Sequence, residues 1–254
     1  MAPVSGVAAR VQAGPDDVPV TRRRVFLVAG ATGPTGEATV RLMAARGDRM
    51  VLTGRNASRL EELRVRYGRQ VATYTGDVSR PEEATRAVGQ ARRVFGRLDG
   101  LVHMIGGLGS GPAARTTPAT HERLLHANFL SAVVTTQAVL PHLSRPSWLV
   151  YIGSLAATSP PPNFGAYAAA KAALTAWARA LARETEHLGV HVNVVQTAPV
   201  GTPPQPGEAR LVTPSEVAHV VVFLTSPNGL SGSVVPVPGR RADTGDAKPA
   251  APPN

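Results

Sequence analysis

Tyr167 and Lys171 lie in Tyr167-Ala-Ala-Ala-Lys171, a four-residue spacing that puts both side chains on one face of a helix. The lysine stands out because the chain has only two, Lys171 and Lys248, among 27 basic residues. A compact ammonium close to a phenol favours the phenolate and lowers its pKa, while its other donors stay free to bind a sugar hydroxyl. A guanidinium would not substitute freely. Thirteen residues upstream of the tyrosine, Ser154 follows the apolar run Trp148-Leu-Val-Tyr-Ile152, which reads as a buried strand ending at Gly153. A hydroxyl at a strand's carboxyl end, facing a helix with a Tyr/Lys pair, is an arrangement for moving a proton on or off an oxygen atom.

Other elements must position these groups. Arg24-Val-Phe-Leu-Val-Ala29 predicts a strand that runs into Gly30-Ala-Thr32-Gly33-Pro34-Thr35-Gly36 and then a helical pattern from Glu37 to Ala45. In a strand, glycine turn and helix of this kind, backbone amides and the helix N-terminus can hold a pyrophosphate. Further strands are expected near 49–53, 71–75, 99–104, 147–152, 190–195 and 233–237, with helical stretches between them. The alternation predicts an α/β fold in one domain: a Rossmann-type doubly wound parallel sheet of about seven strands with helices on both faces. With 254 residues, 43% of them apolar, the chain can bury one large core. Residues 1–21 and 241–254 lack periodicity and read as mobile extensions flanking a domain of 22–240.

Taken in order, these motifs resemble the short-chain dehydrogenase/reductase (SDR) family over about residues 22 to 240. Gly76-Asp77-Val78 resembles the family's aspartate beside the adenine, and Asp99-Gly-Leu-Val-His103-Met-Ile-Gly106-Gly107 takes the place of its Asn-Asn-Ala-Gly strand end. Asn128, in Leu125-His-Ala-Asn128, matches the helix asparagine, and Pro199-Val200-Gly-Thr202 resembles the loop that holds the nicotinamide carboxamide. The resemblance implies an oxidoreductase that transfers hydride between a nicotinamide cofactor and a small carbonyl or alcohol substrate. Tyr167 would be the general acid in reduction and the base in oxidation. Lys171 would hold the nicotinamide ribose and depress the phenol's pKa toward neutrality, Ser154 would hydrogen-bond the substrate oxygen, and Asn128 would anchor water or backbone for a proton relay. The cofactor contacts implied are Gly30, Thr32, Gly33, Pro34, Thr35, Gly36, Arg55, Asp77, Val78, His103, Gly106, Tyr167, Lys171, Pro199, Val200 and Thr202. His103 has an equal alternative as a satisfied strand-end histidine.

The expected cofactor is NADP(H) in preference to NAD(H). At the end of the second strand, in Thr53-Gly54-Arg55-Asn56, glycine takes the place where a carboxylate would accept from a ribose 2′-hydroxyl, and an arginine follows that can fork onto a 2′-phosphate. Reduction is the direction that fits this preference.

Composition excludes other classes. The chain has no cysteine, hence no disulfide framework, zinc-thiolate site or thiol nucleophile, which fits the cytoplasm. Thr21-Arg22-Arg23-Arg24 resembles a twin-arginine export signal, but the apolar run after it is short and broken by glycine. No membrane-length apolar run is expected. The net charge of +10 comes from arginines spread along the chain, without a recognition-helix pattern or aromatic stripe, so neither a nucleic-acid nor a membrane partner is expected. The seven histidines are scattered singly and predict no metal site. By resemblance, small apolar residues around 128–140 and 167–181 imply a homodimer or homotetramer.

The chain departs from the family's commonest pattern at the glycine spacing, at His103-Met104, at Thr197-Ala198 and at Val237-Pro238-Gly239-Arg240. All of these touch the cofactor's surroundings and imply lowered affinity. The segment 202–213 is short where relatives often carry a helical lid, which leaves substrate identity unread. The alternative from another class is a non-catalytic dinucleotide sensor or scaffold that keeps the fold; intact Ser154, Tyr167 and Lys171 stand against it.

Overall fold

A computed structural model of the chain describes residues 23–201 and 211–238. The two terminal extensions and most of the segment 202–213 lie outside the described residues. Seven strands alternate with helices: β1 (Val25–Ala29), α1 (Pro34–Ala45), β2 (Arg49–Gly54), α2 (Ala57–Tyr67), β3 (Val71–Thr75), α3 (Pro81–Phe95), β4 (Gly100–His103), α4 (Pro118–Leu125), α5 (Ser131–Val139), β5 (Ser147–Ser154), α6 (Gly165–Thr185), β6 (Val190–Thr197), α7 (Pro214–Leu224) and β7 (Val234–Val237). The strands form one parallel sheet in the order β3-β2-β1-β4-β5-β6-β7, the doubly wound arrangement expected from the sequence.

Successive positions of the central strands are buried because both faces of the sheet are covered. Val25, Leu27 and Ala29 point into one core with Val88, Ala132, Leu174 and Ala178 from α3, α5 and α6. Phe26 and Val28 point into the other with Val40, Met43, Leu60, Val217 and Val221 from α1, α2 and α7. The strand order reverses between β1 and β4, so the loops leaving their carboxyl ends diverge and open a crevice there. Two residues are added to the expected ends of β5 and β6. Ser154 is therefore the last residue of its strand, paired with Thr197, rather than a residue beyond it.

Between α4 and α5 the helix does not break. His126–Leu130 is a π-helical turn, and the run Pro118–His142 is continuous, long and apolar enough by length and composition to cross a membrane. That corrects the expectation that no such run exists. Its polar residues Asn128, Ser131, Thr135 and Thr136 are buried, and it packs on α3, α6 and β4.

Charge is also buried at the opposite end of the sheet. Asp48, 2% exposed, is paired with Arg46 at 2.5 Å and Arg24 at 3.4 Å, and both arginines reach across to the end of α7, at the Val222 and Thr225 carbonyls. Desolvation raises the Asp48 carboxyl and lowers the Arg46 guanidinium against the pull of each partner, so the pair carries a burial cost. Removing one member leaves that cost uncompensated. Asp48→Ala should lower stability by about 3 kcal/mol, read as a shift in urea midpoint at unchanged slope.

Candidate active site and dinucleotide cleft

The turn after β1 is held by backbone contacts that tolerate no side chain. Gly30 has a φ of +85°, and a Cβ there would meet the Met104 carbonyl carbon at 2.9 Å. A Cβ at Gly36, in the first turn of α1, would lie 2.4 Å from the Gly30 carbonyl oxygen. The helix therefore starts directly against the turn. Its cap, Gly33, has no side chain to accept from the first amides, and Pro34 follows at the first helical position. A Cβ on Gly33 itself would meet nothing closer than 3.8 Å, so the turn is open on that side. A helix N-terminus with uncapped amides beside an open glycine turn suits a diphosphate.

A cleft of about 420 Å³ runs along the carboxyl ends of the strands on this side of the switch point. It brings together the predicted Gly30, Thr32, Gly33, Arg55, Asp77, Val78 and Gly106, and adds Ser79, Met104, Ile105 and His126. A second recess of about 540 Å³ lies across the start of α1 and holds Pro34, Thr35 and Val200 against Thr213 and Ser215. Thr202 lies outside the described residues. Pro199 lines neither recess; its carbonyl accepts from the Val212 amide at 2.9 Å. The Asp77 carboxyl is raised by burial, but the Ser79 hydroxyl and amide and the charges of Arg55 and Arg80 outweigh this and hold it below the ordinary value. Arg55 is exposed and follows Gly54, where a Cβ would press on the Thr32 side chain at 3.2 Å.

The four catalytic candidates converge where β4, β5 and α6 meet. The π-helical turn carries the buried Asn128, whose Nδ2 donates to the Gly107 and Leu124 carbonyls at 2.8 and 3.0 Å and whose Oδ1 accepts from the Gly107 amide at 3.1 Å. Its partners are all backbone groups, so it clamps the loop leaving β4. A Cβ on Gly106 would come 2.8 Å from Asn128 Oδ1 and 3.3 Å from Lys171 Nζ, which puts all three side by side. Lys171 Nζ, on α6, donates to the Ile152 carbonyl of β5 at 2.8 Å. Ser154 Oγ accepts from the Ala156 amide at 3.2 Å, leaving its own proton to donate elsewhere.

The protonation pattern differs from the expected one in one respect. Burial pushes the Tyr167 phenol above its ordinary 10, and the Ser154 hydroxyl only partly opposes this. The phenol is not depressed toward neutrality, because desolvation of the phenolate outweighs its neighbours and Lys171 is engaged with the strand carbonyl. Burial lowers Lys171 to about 8.

His103 is not brought to the cleft. It is 1% exposed, beside the Tyr151 ring at a centroid distance of 6.2 Å, and held neutral, near 3, by burial and by the charge of Lys171. The side chain on this strand end points into the α5 and α6 core, not toward the crevice. Sequence reasoning missed His126 and Ser79; only the spacing of Ser79 two residues after Asp77, an Asx-turn signal, hinted at the second. Among the described residues no group of three or more His, Asp or Glu is placed to hold a metal ion.

The geometry and the relatives agree. Residues 24–209 match the sequence profile of the short chain dehydrogenase family. The chain belongs to that family of oxidoreductases. A bovine protein named dehydrogenase/reductase SDR family member 7B is 31% identical over 71% of this chain, which spans 59% of the bovine protein's length. An uncharacterized oxidoreductase of Staphylococcus saprophyticus is 28% identical over 79% of this chain and 90% of its own. The 3-ketoacyl-(acyl-carrier-protein) reductase of Brucella melitensis, solved with NADH, shares the fold with a TM-score of 0.79 at 24% identity, over 86% of this chain and 98% of that one.

The buried lysine gives a test. Folded, Lys171 loses its proton near 8, while the unfolded chain keeps it to the ordinary lysine value of 10.5. Between those values the unfolded state binds more protons, so unfolding free energy rises with pH. Relative to Lys171→Met, the wild type should gain about 2 kcal/mol between roughly pH 8 and 9.5 in urea unfolding, and a flat difference would contradict the assigned burial.

Proposed function

We propose that this family member reduces a small carbonyl substrate to the alcohol with NADPH, using Tyr167 as proton donor. The observation that carries this reading is the convergence of Ser154, Tyr167 and Lys171 at the carboxyl ends of β4 and β5, with Asn128 fixing the loop beside them. Burial keeps the phenol protonated, the state a general acid needs at neutral pH. The Ser154 hydroxyl, accepting from Ala156, presents its proton to a substrate oxygen. The Lys171 ammonium spends one donor on the Ile152 carbonyl and has two more for a ribose hydroxyl or water.

The residues present fit a nicotinamide dinucleotide. The Gly30–Gly36 turn and the start of α1 would take the pyrophosphate, Asp77 and Val78 the adenine, and Val200 the carboxamide side. Arg55, with no carboxylate at position 54, supports a 2′-phosphate and therefore NADP(H). When bound, the cofactor supplies the hydride. The proposal extends, by family resemblance, to a homodimer or homotetramer formed through α5 and α6, beside which Leu130 of the π turn is 38% exposed, and, from the lack of cysteine, to a place in the cytoplasm.

Titration with NADPH and NADH by nicotinamide fluorescence, followed by a carbonyl-substrate screen, tests the reading. Arg55→Ala should weaken NADPH roughly tenfold and leave NADH unchanged. Tyr167→Phe should lower kcat by about 10²–10⁴-fold with NADPH binding intact. Nucleotide binding without turnover on any carbonyl would favour the sensor reading, and binding of neither nucleotide would overturn both. Light scattering on the same sample reads the oligomer, and a monomer would contradict the α5/α6 interface.

A further inference from the structure

Three of the arginines spread along the sequence are gathered by the fold at the amino-terminal ends of β2 and β3, the end of the sheet opposite the cleft. Arg49 opens β2, Arg64 and Arg69 lie at the end of α2 and just after it, and Val94 and Phe95 end α3; with Gly68 they line one recess of about 490 Å³. The Arg49 guanidinium sits 5.7 Å from the centre of the Phe95 ring, and Val94 is 47% exposed. Arg64 is paired with Glu61 at 2.5 Å. Among the described residues, neither Arg49 nor Arg69 has a carboxylate within ion-pair distance.

Arginines at helix C-termini also complement the helix dipole, but that role needs no shared hollow and no exposed apolar wall. Of the three guanidiniums that line the recess only Arg64 has an ion-pair partner among the described residues, so an anion set between them would be attracted by the other two. The guanidinium fork matches the oxygens of a phosphate, and the Val94 and Phe95 wall takes an apolar or aromatic body. The volume is within the range of small-molecule sites. A recess, in contrast to an extended basic stripe, favours a small ligand over a nucleic-acid strand. Arg49 and Arg55 are at opposite ends of β2, six residues or roughly 20 Å apart, so this place is separate from the cofactor cleft.

We propose that the recess lined by Arg49, Arg64, Arg69 and Phe95 is a second ligand site, for a small phosphate monoester with an apolar or aromatic group. Calorimetric titration with phenyl phosphate, inorganic phosphate and phenol tests it on the full chain. Phenyl phosphate should bind more tightly than either fragment. The double variant Arg49→Gln/Arg69→Gln should weaken it at least tenfold, and Arg55→Ala should leave it unchanged. If the double variant loses its cooperative thermal transition, the single exposed change Arg69→Gln carries the test, with at least a threefold loss expected. Binding unchanged by these variants, binding lost in Arg55→Ala, or no binding of phenyl phosphate would overturn the site. A duplex oligonucleotide that displaces phenyl phosphate and binds more tightly would overturn the small-ligand assignment in favour of a nucleic-acid surface.

Discussion

The turn between β1 and α1 leaves no room for a single carbon atom at Gly36, where a Cβ would lie 2.4 Å from one backbone carbonyl and 2.6 Å from the next. Because helix and turn touch through bare backbone, the start of α1 is carried down onto the crest of the sheet, next to the point where the strand order reverses. The same crowding recurs at Gly30, against the chain leaving β4. Three segments are thereby fixed relative to one another by atoms that have almost no freedom to move. That fit positions the turn proposed to hold the diphosphate.

A second set of ties fixes the reacting end. Asn128 spends its amide on main-chain atoms of Gly107 and Leu124, and it can reach them because the helix widens into a π turn at His126–Leu130. Lys171 ties α6 to the last turn of β5 through the Ile152 carbonyl. These bonds are partly or wholly buried, where an unmade hydrogen bond is costly, so they hold the loop and the helix in one arrangement. The same burial moves Lys171 down and Tyr167 up. One physical cause thus keeps the phenol protonated and makes the ammonium easier to discharge.

Much of the fold was legible in the sequence because both determinants are local. A run that is apolar at every position and only five residues long, as at Val25–Ala29, becomes a strand covered on both sides. Glycine at 30 and 36 marks a turn that leaves no room for a side chain at either position. The i, i+4 pair of Tyr167 and Lys171 follows from helix geometry alone. What misled was direction and environment: His103 ends a strand beside the crevice, yet it faces the core, since a strand's alternate residues point to opposite sides. The depression of the Tyr167 phenol was expected from proximity to an ammonium, but burial is the larger effect and acts the other way.

The sequence by itself determined the parallel sheet, because strands, turns and helices follow from periodicity, spacing and residue chemistry, and the order of its motifs carried the resemblance to the family. Only the tertiary structure decided which face each strand end presents, how deeply each ionisable group is buried, and that Arg49, Arg64 and Arg69 share one recess at the amino-terminal end of the sheet. Those properties arise from packing between segments distant in the chain, and desolvation and charge proximity are set by that packing and not by neighbours in sequence.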